Sequence, residues 1–202
     1  MSSTQTGAAP GARAAARPQF FYRSAIVMGV IVVLSFPLTY YMPALTGSRH
    51  FHLLHHLHGL AYFAWIGLYV WQTRLAATGR IARHREIGLA GFALTGALVP
   101  LGVWMAQRAA EIRATKDVPH PYEFTWFNLT DIGLFTGLMI ASILLVTKHK
   151  EWHRRLTFTA ALCLVAPAAT RWTLKMPGLD PLFLDIAVYF VMDPFLIALL
   201  LF

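Results

Sequence analysis

The chain has 202 residues, 57% of them hydrophobic and 13% charged, with a mean hydropathy of +0.54, a composition that excludes an ordinary water-soluble domain of this size. The formal net charge is +8, but Lys and Arg gather at the ends of apolar runs and form no continuous stripe, which argues for membrane topology and against a nucleic-acid partner. Cys163 is the only cysteine, so there is no disulfide framework, CxxC pair or thiolate metal site.

Residues 1–22 are rich in Ala, Gly, Ser and Pro, carry Arg13 and Arg17 and contain no acid, the pattern of a disordered basic tail. Residues 23–202 read as one transmembrane helical domain in a lipid bilayer, because the apolar runs approach the ~20 residues that cross one. Six spans are predicted: about 24–42 with Pro37 as a kink, 53–76, 87–107 with Pro100, 124–146, 156–174 with Pro167, and 182 to the terminus with Asp193 and Pro194. The predicted fold is therefore an all-α polytopic bundle. With the N-terminus cytoplasmic, eleven of the seventeen Lys and Arg residues fall on the inside, as the positive-inside rule requires of a bacterial inner-membrane protein.

The chain also carries a faint internal repeat. Arg83-His84-Arg85-Glu86-Ile87 opens the third span and Trp152-His153-Arg154-Arg155-Leu156 opens the fifth, at an offset of 69 residues. Two parallel helical-hairpin repeats about an axis along the membrane normal would set His84 and His153 at one inner depth, facing a shared axis. The positive-inside rule alone produces part of the same pattern.

Three groups of residues have the chemistry of sites. Five of the nine histidines lie within residues 50–58. On a helix His55, His58, Tyr62, Trp65 and Tyr69 form one stripe, extended by Gln72. His55 and His58 are spaced to share a metal, or they belong to an interfacial belt of amphipathic rings; His58 is the deeper and needs a partner. At the inner face His84 and His153, flanked by Arg85 and Arg154, suit an anionic or ligand group such as a haem propionate, a lipid phosphate or a quinone oxygen, and two facing imidazoles suit one haem iron. Asp131, Arg171, Asp185 and Asp193 are costly inside a membrane, and a salt bridge from Arg171 to Asp131 or Asp185 is expected. The His52-Leu-Leu-His55-His56 and His149-Lys-Glu-Trp-His153 segments resemble desaturase histidine boxes but fall on opposite faces, where they cannot share a metal pair. No nucleotide loop or catalytic signature is present, and no catalytic residue is assigned.

Through His56-Leu-His58-Gly59 to Thr73-Arg74, Gly79-Arg80, His84-Arg85-Glu86-Ile87-Gly88 and His153-Arg154-Arg155-Leu156, the chain resembles a widespread bacterial group of multi-pass inner-membrane proteins of unassigned activity. More distantly it is similar to membrane proteins of haem-copper oxidase assembly and to b-type cytochrome bundles. Those cytochromes place two ligand histidines on one span, a pair this sequence lacks. The resemblance implies handling of haem b or a quinone and assigns no reaction; the residues themselves give His58, His84, His153, Arg85 and Arg154 as cofactor positions and His55 with His58 as a metal position. A non-enzymatic accessory or assembly subunit of a membrane complex, and a small-solute or proton transporter working through Asp131, Arg171 and Asp185, are the alternatives.

Overall fold

A computed structural model describes residues 10–116, 122–173 and 181–202. Every long element among the described residues is helical: α1 (Pro10–Leu34), a π turn (Pro37–Tyr41), α2 (Met42–Leu45), α3 (Leu53–Ala77), α4 (Ile81–Ala114), α5 (Glu123–Leu145), α6 (Lys150–Thr173) and α7 (Pro181–Leu201). The predicted spans map onto the six long helices. α1 starts earlier than expected, at Pro10 and inside the stretch read as a tail. Its first turns are alanine-rich, which favours helix, and proline is tolerated in the opening turn.

Proline has opposite effects at two places. Pro37 ends α1, and the Phe36 carbonyl then accepts from the backbone N–H groups of Thr39, Tyr40 and Tyr41 at 3.3, 2.8 and 3.1 Å, giving the wide π turn. Pro167 stays inside α6, where it offers no N–H to the preceding turn. Between α3 and α4 the chain reverses through Thr78-Gly79-Arg80, with Gly79 at φ 74°, a left-handed conformation suited to glycine.

The long helices alternate in direction. Gly29 of α1 faces Val70 and Ile66 of α3, Trp65 of α3 meets Thr95 of α4, Gly102 of α4 faces Ile132 of α5, Ser142 of α5 meets His153 of α6, and Arg155 of α6 meets Leu199 of α7. α3, α4, α5 and α6 form a ring in which α4 and α6 stand diagonally, while α1 packs against both α3 and α6 and α7 lies on α6. One end of the bundle, the near end, carries the turns at 78–80 and 146–149 and Phe202. The far end carries the π turn, α2 and the residues leading into α3.

The core runs through the ring and under α1, with Met28, Val32, Phe158 and Val165 fully enclosed and Trp65, Tyr69, Leu98 and Phe135 around them. The outer surface is apolar as well. Val30, Leu60, Leu89, Leu134, Leu144, Phe190 and Leu200 are all more than half exposed or close to it, a surface water does not tolerate over so large an area. Three helical stretches, Pro18–Leu45, Ile81–Ala114 and Thr125–Leu145, are long and apolar enough to cross a membrane, with only 22%, 17% and 17% of their most apolar windows buried inside the protein. Most of their apolar surface thus faces outward, which makes a membrane location plausible.

Candidate functional site

The stripe on α3 faces the interior. Tyr62, Trp65 and Tyr69 are 6%, 3% and 6% exposed, and each polar tip that finds a partner reaches another helix. The Tyr62 hydroxyl donates to the Leu164 carbonyl of α6, close to the break that Pro167 makes in the backbone ladder. Trp65 Nε1 donates to Thr95 Oγ1 at 2.9 Å, and Thr95 in turn donates to the Gly91 carbonyl at 2.8 Å. Trp65 also stacks on Tyr69 and meets Phe135 of α5 edge-on. Polar atoms inside an apolar bundle are stable only when paired, and this ladder pairs them across three helices.

At the near end the ladder reaches two histidines. His84 opens α4 and His153 opens α6, and their ring centroids lie 6.3 Å apart with planes at 76°. Helices on opposite corners of the ring thus bring together residues 69 positions apart in the chain. Each ring is held from the hairpin partner that precedes it. His84 Nδ1 lies 3.2 Å from the Gln72 carbonyl of α3, and His153 Nδ1 lies 3.3 Å from the Ser142 carbonyl of α5. Gln72 lies twelve residues before His84 and Ser142 eleven before His153, so each histidine bonds back to the preceding helix of its own hairpin.

The two rings meet different polar groups at Nδ1. Ser142 Oγ is fully buried and sits 2.8 Å from His153 Nδ1, 2.7 Å from Thr157 Oγ1 and 3.2 Å from the His153 carbonyl. With two acceptors around it, the His153 Nδ1–H donates and Nε2 is left with its lone pair. The Gln72 amide is satisfied when its nitrogen donates to the His84 carbonyl at 2.9 Å and its oxygen accepts from Gly88 N–H at 3.3 Å, and the same nitrogen then lies 2.6 Å from His84 Nδ1. His84 Nδ1 also lies 3.2 Å from the Gln72 backbone carbonyl, which only accepts, so the two Gln72 contacts call for opposite protonation of Nδ1. The pair therefore offers the His153 Nε2 lone pair beside a His84 ring that can keep its proton on either nitrogen.

The flanking arginines are arranged unequally. Arg154 reaches Glu151 at 3.5 Å, and Arg155 pairs with the same carboxylate at 3.1 Å while donating to the Leu199 carbonyl at 2.8 Å. Arg85 is exposed, the freer of the two predicted anion partners.

The far-end histidines scatter into separate roles. His52 caps α3 by accepting from Leu54 N–H at 3.2 Å, His55 Nδ1 lies 3.3 Å from the His52 carbonyl, and His56 Nδ1 lies 2.5 Å from the Tyr40 hydroxyl. His58 stacks on Tyr62 with centroids 6.3 Å apart, and its Nδ1 is buried with no hydrogen-bond partner among the described residues. No group of three His, Cys, Asp or Glu residues suited to a metal ion occurs among the described residues, so His55 and His58 gain no third protein ligand there. The expected ion pair from Arg171 to Asp131 is not formed. Arg171 Nη1 donates to the Pro167 carbonyl at 2.5 Å and its guanidinium lies 4.2 Å from the centre of the Phe36 ring, because one turn of α6 and the end of α1 are nearer than α5. The Asp185 side chain lies outside the described residues. Asp193 is exposed on α7.

Sequence reading missed Gln72 and Ser142 as the groups that orient the two histidines. The signal available was that each is a polar residue on the helix preceding its histidine, eleven or twelve positions upstream. No family model, curated protein or solved structure matches the chain.

Proposed function

We propose that this chain is a six-span inner-membrane protein with a cytoplasmic N-terminus, and that its working centre is the His84 and His153 pair, which binds the head group of a quinone or quinol at the cytoplasmic face. The observation that carries this reading is the meeting of two imidazoles from different hairpins, His84 and His153, with ring centroids 6.3 Å apart. A quinone oxygen accepts from an imidazole N–H and a quinol hydroxyl donates to an imidazole lone pair, so such a pair can bind either form. Quinone reduction to quinol takes up two electrons and two protons. The imidazoles handle the protons, and the electrons are exchanged with a partner membrane complex. Arg85 adds a positive field at the same end.

Haem b is the second reading, and one observation favours it. His84 and His153 would hold the iron, and each has a backbone-carbonyl contact at Nδ1 of the kind that orients ligand histidines, at 3.2 Å for His84 and 3.3 Å for His153. Bound there, haem would supply one-electron chemistry, with Arg85 and Arg154 near its propionates.

The test is purification of the full chain in detergent, followed by an absorption spectrum, iron analysis and titration with a short-chain ubiquinone analogue. The quinone reading expects no Soret band and saturable analogue binding that His84→Ala and His153→Ala each weaken about tenfold or more, while His50→Ala does not. A Soret band with iron, lost in both variants, supports haem instead. Neither spectrum nor analogue binding overturns both. Orientation is tested separately: a reporter fused after Ala77 is expected in the cytoplasm and one inserted after Lys116 outside, and the opposite result reverses the assignment of faces.

A further inference from the structure

The far end of the bundle holds a positive charge that no carboxylate among the described residues neutralises. Arg171 has no carboxylate partner among the described residues, whose ion pairs are Arg108 with Glu111 and both Arg154 and Arg155 with Glu151. The guanidinium spends one N–H on the Pro167 carbonyl and lays its face on Phe36, which leaves further donors of its planar fork uncommitted. A partly buried cation in an apolar bundle is stable when an anion accompanies it.

Two more unsatisfied groups lie at the same end. His58 lies within electrostatic reach of Arg171, and its Nδ1 is buried and unpartnered; Thr39 Oγ1, three residues beyond Phe36, is also buried and unpartnered. The surroundings are aromatic, with Phe36 5.0 Å from Phe63 and 6.0 Å from Tyr62, centre to centre. The backbone here is irregular as well. The π turn follows Phe36, and Trp172 Nε1, next to Arg171, donates to the Leu34 carbonyl at 3.1 Å. π turns recur at functional sites because they turn polar groups out of the helical ladder.

From the juxtaposition of Arg171 and His58 around Phe36 and Tyr62, we infer a binding site for a monocarboxylate at the far end of the bundle. A single guanidinium matches a single negative charge and engages a carboxylate through two parallel N–H donors. His58 supplies a further polar contact to its oxygens. The aromatic walls suit an apolar substituent on the acid, whereas a strongly hydrated dianion such as phosphate would need more than one cation to offset its desolvation. Two sources have this chemistry: an organic acid arriving from water, and a fatty acid arriving from the bilayer.

The experiment uses the full chain in lipid nanodiscs, with calorimetric titration of benzoate, oleate, their methyl esters and inorganic phosphate. At least one of the two acids is expected to bind saturably while its ester does not. Benzoate binding identifies a water-borne ligand, and binding of oleate alone identifies a lipid-borne one. Arg171→Gln is expected to weaken acid binding about tenfold or more, with Arg171→Lys intermediate, as loss of a bidentate charged contact predicts. His58→Gln is expected to weaken it less. If neither acid binds better than its ester, or phosphate binds as well as the acids, the site is overturned. Should Arg171→Gln fail to fold, the comparison of acid with ester on the unaltered chain still decides. The quinone titration at the near end is independent: quinone binding that survives in Arg171→Gln separates failure of this site from failure of the other.

Discussion

The two ends of the bundle handle buried polar groups in opposite ways. At the near end His84, His153, Ser142, Thr157 and Gln72 close a network in which each side chain meets at least one partner. At the far end lie all three side-chain polar atoms that are buried without a partner among the described residues: Thr39 Oγ1, His58 Nδ1 and Thr125 Oγ1. The near end is built from uninterrupted helix starts joined by tight turns, so its donors and acceptors are aimed by regular geometry. The far end is built from a helix broken at Pro37 and a helix opened at Pro167. A satisfied network gives stability and holds its rings in one orientation, whereas an unsatisfied one costs stability and keeps groups available. The same residue type, histidine, therefore serves different ends of the molecule differently.

The largest test of that contrast is in the core. Phe158 is fully buried and packs with Phe20 and Phe21 of α1 and Phe195 of α7, so Phe158→Ala is expected to cost ~3–5 kcal/mol, the range for truncating a buried phenylalanine. Phe36→Ala, at the irregular end, is expected to cost clearly less. Unfolding midpoints in detergent measure both, and equal losses would erase the difference in packing.

A smaller and sharper pair compares hydroxyl groups. Ser142→Ala removes the group between His153 and Thr157 and is expected to cost ~1–3 kcal/mol, because their buried partners lose a contact. Thr39→Val removes a hydroxyl that has no partner and is expected to change stability by no more than ~0.5 kcal/mol or to raise it. A loss at Thr39 as large as that at Ser142 would mean that the far-end hydroxyl is satisfied after all.

The smallest effects concern glycines in the middle of the bundle. A Cβ on Gly67 meets nothing within 4 Å, so Gly67→Ala is expected to stabilise by up to ~1 kcal/mol through helix propensity. A Cβ on Gly102 would stand 2.9 Å from Ile132 Cδ1, and there the same gain is offset by the shift forced on Ile132. Chemical unfolding of the two variants side by side reads the difference directly.

Much of this architecture is legible in the residues themselves. The apolar runs around 53–76 and 124–146 became α3 (Leu53–Ala77) and α5 (Glu123–Leu145) almost to the residue. The steps of three and four from His58 through Tyr62, Trp65 and Tyr69 announced a face that needs partners, and that face is buried. The repeat around His84 and His153 suggested a shared axis, and the rings lie side by side. Arg171 was not legible. The sequence sets Asp131 and Asp185 at a comparable depth, but its neighbours among the described residues, Phe36 and the Pro167 carbonyl, depend on how α6 is rotated and on where α1 ends.

What the sequence determined by itself is the helical class, the approximate placement of the long helices and the inward direction of the polar stripe. Apolar surroundings leave a backbone no partner but its own ladder, and they leave a polar side chain no partner but another helix. What only the tertiary structure decided is which helices stand opposite one another: that α4 and α6 meet across the ring, so that His84 and His153 stand with ring centroids 6.3 Å apart, and that α1 meets α6 at the far end, so that Arg171 rests on Phe36. Hydropathy is nearly the same on every apolar face, so it does not choose among neighbours. That choice rests on close approach at small residues such as Gly29, Gly91 and Gly102 and on the few polar pairs that fit.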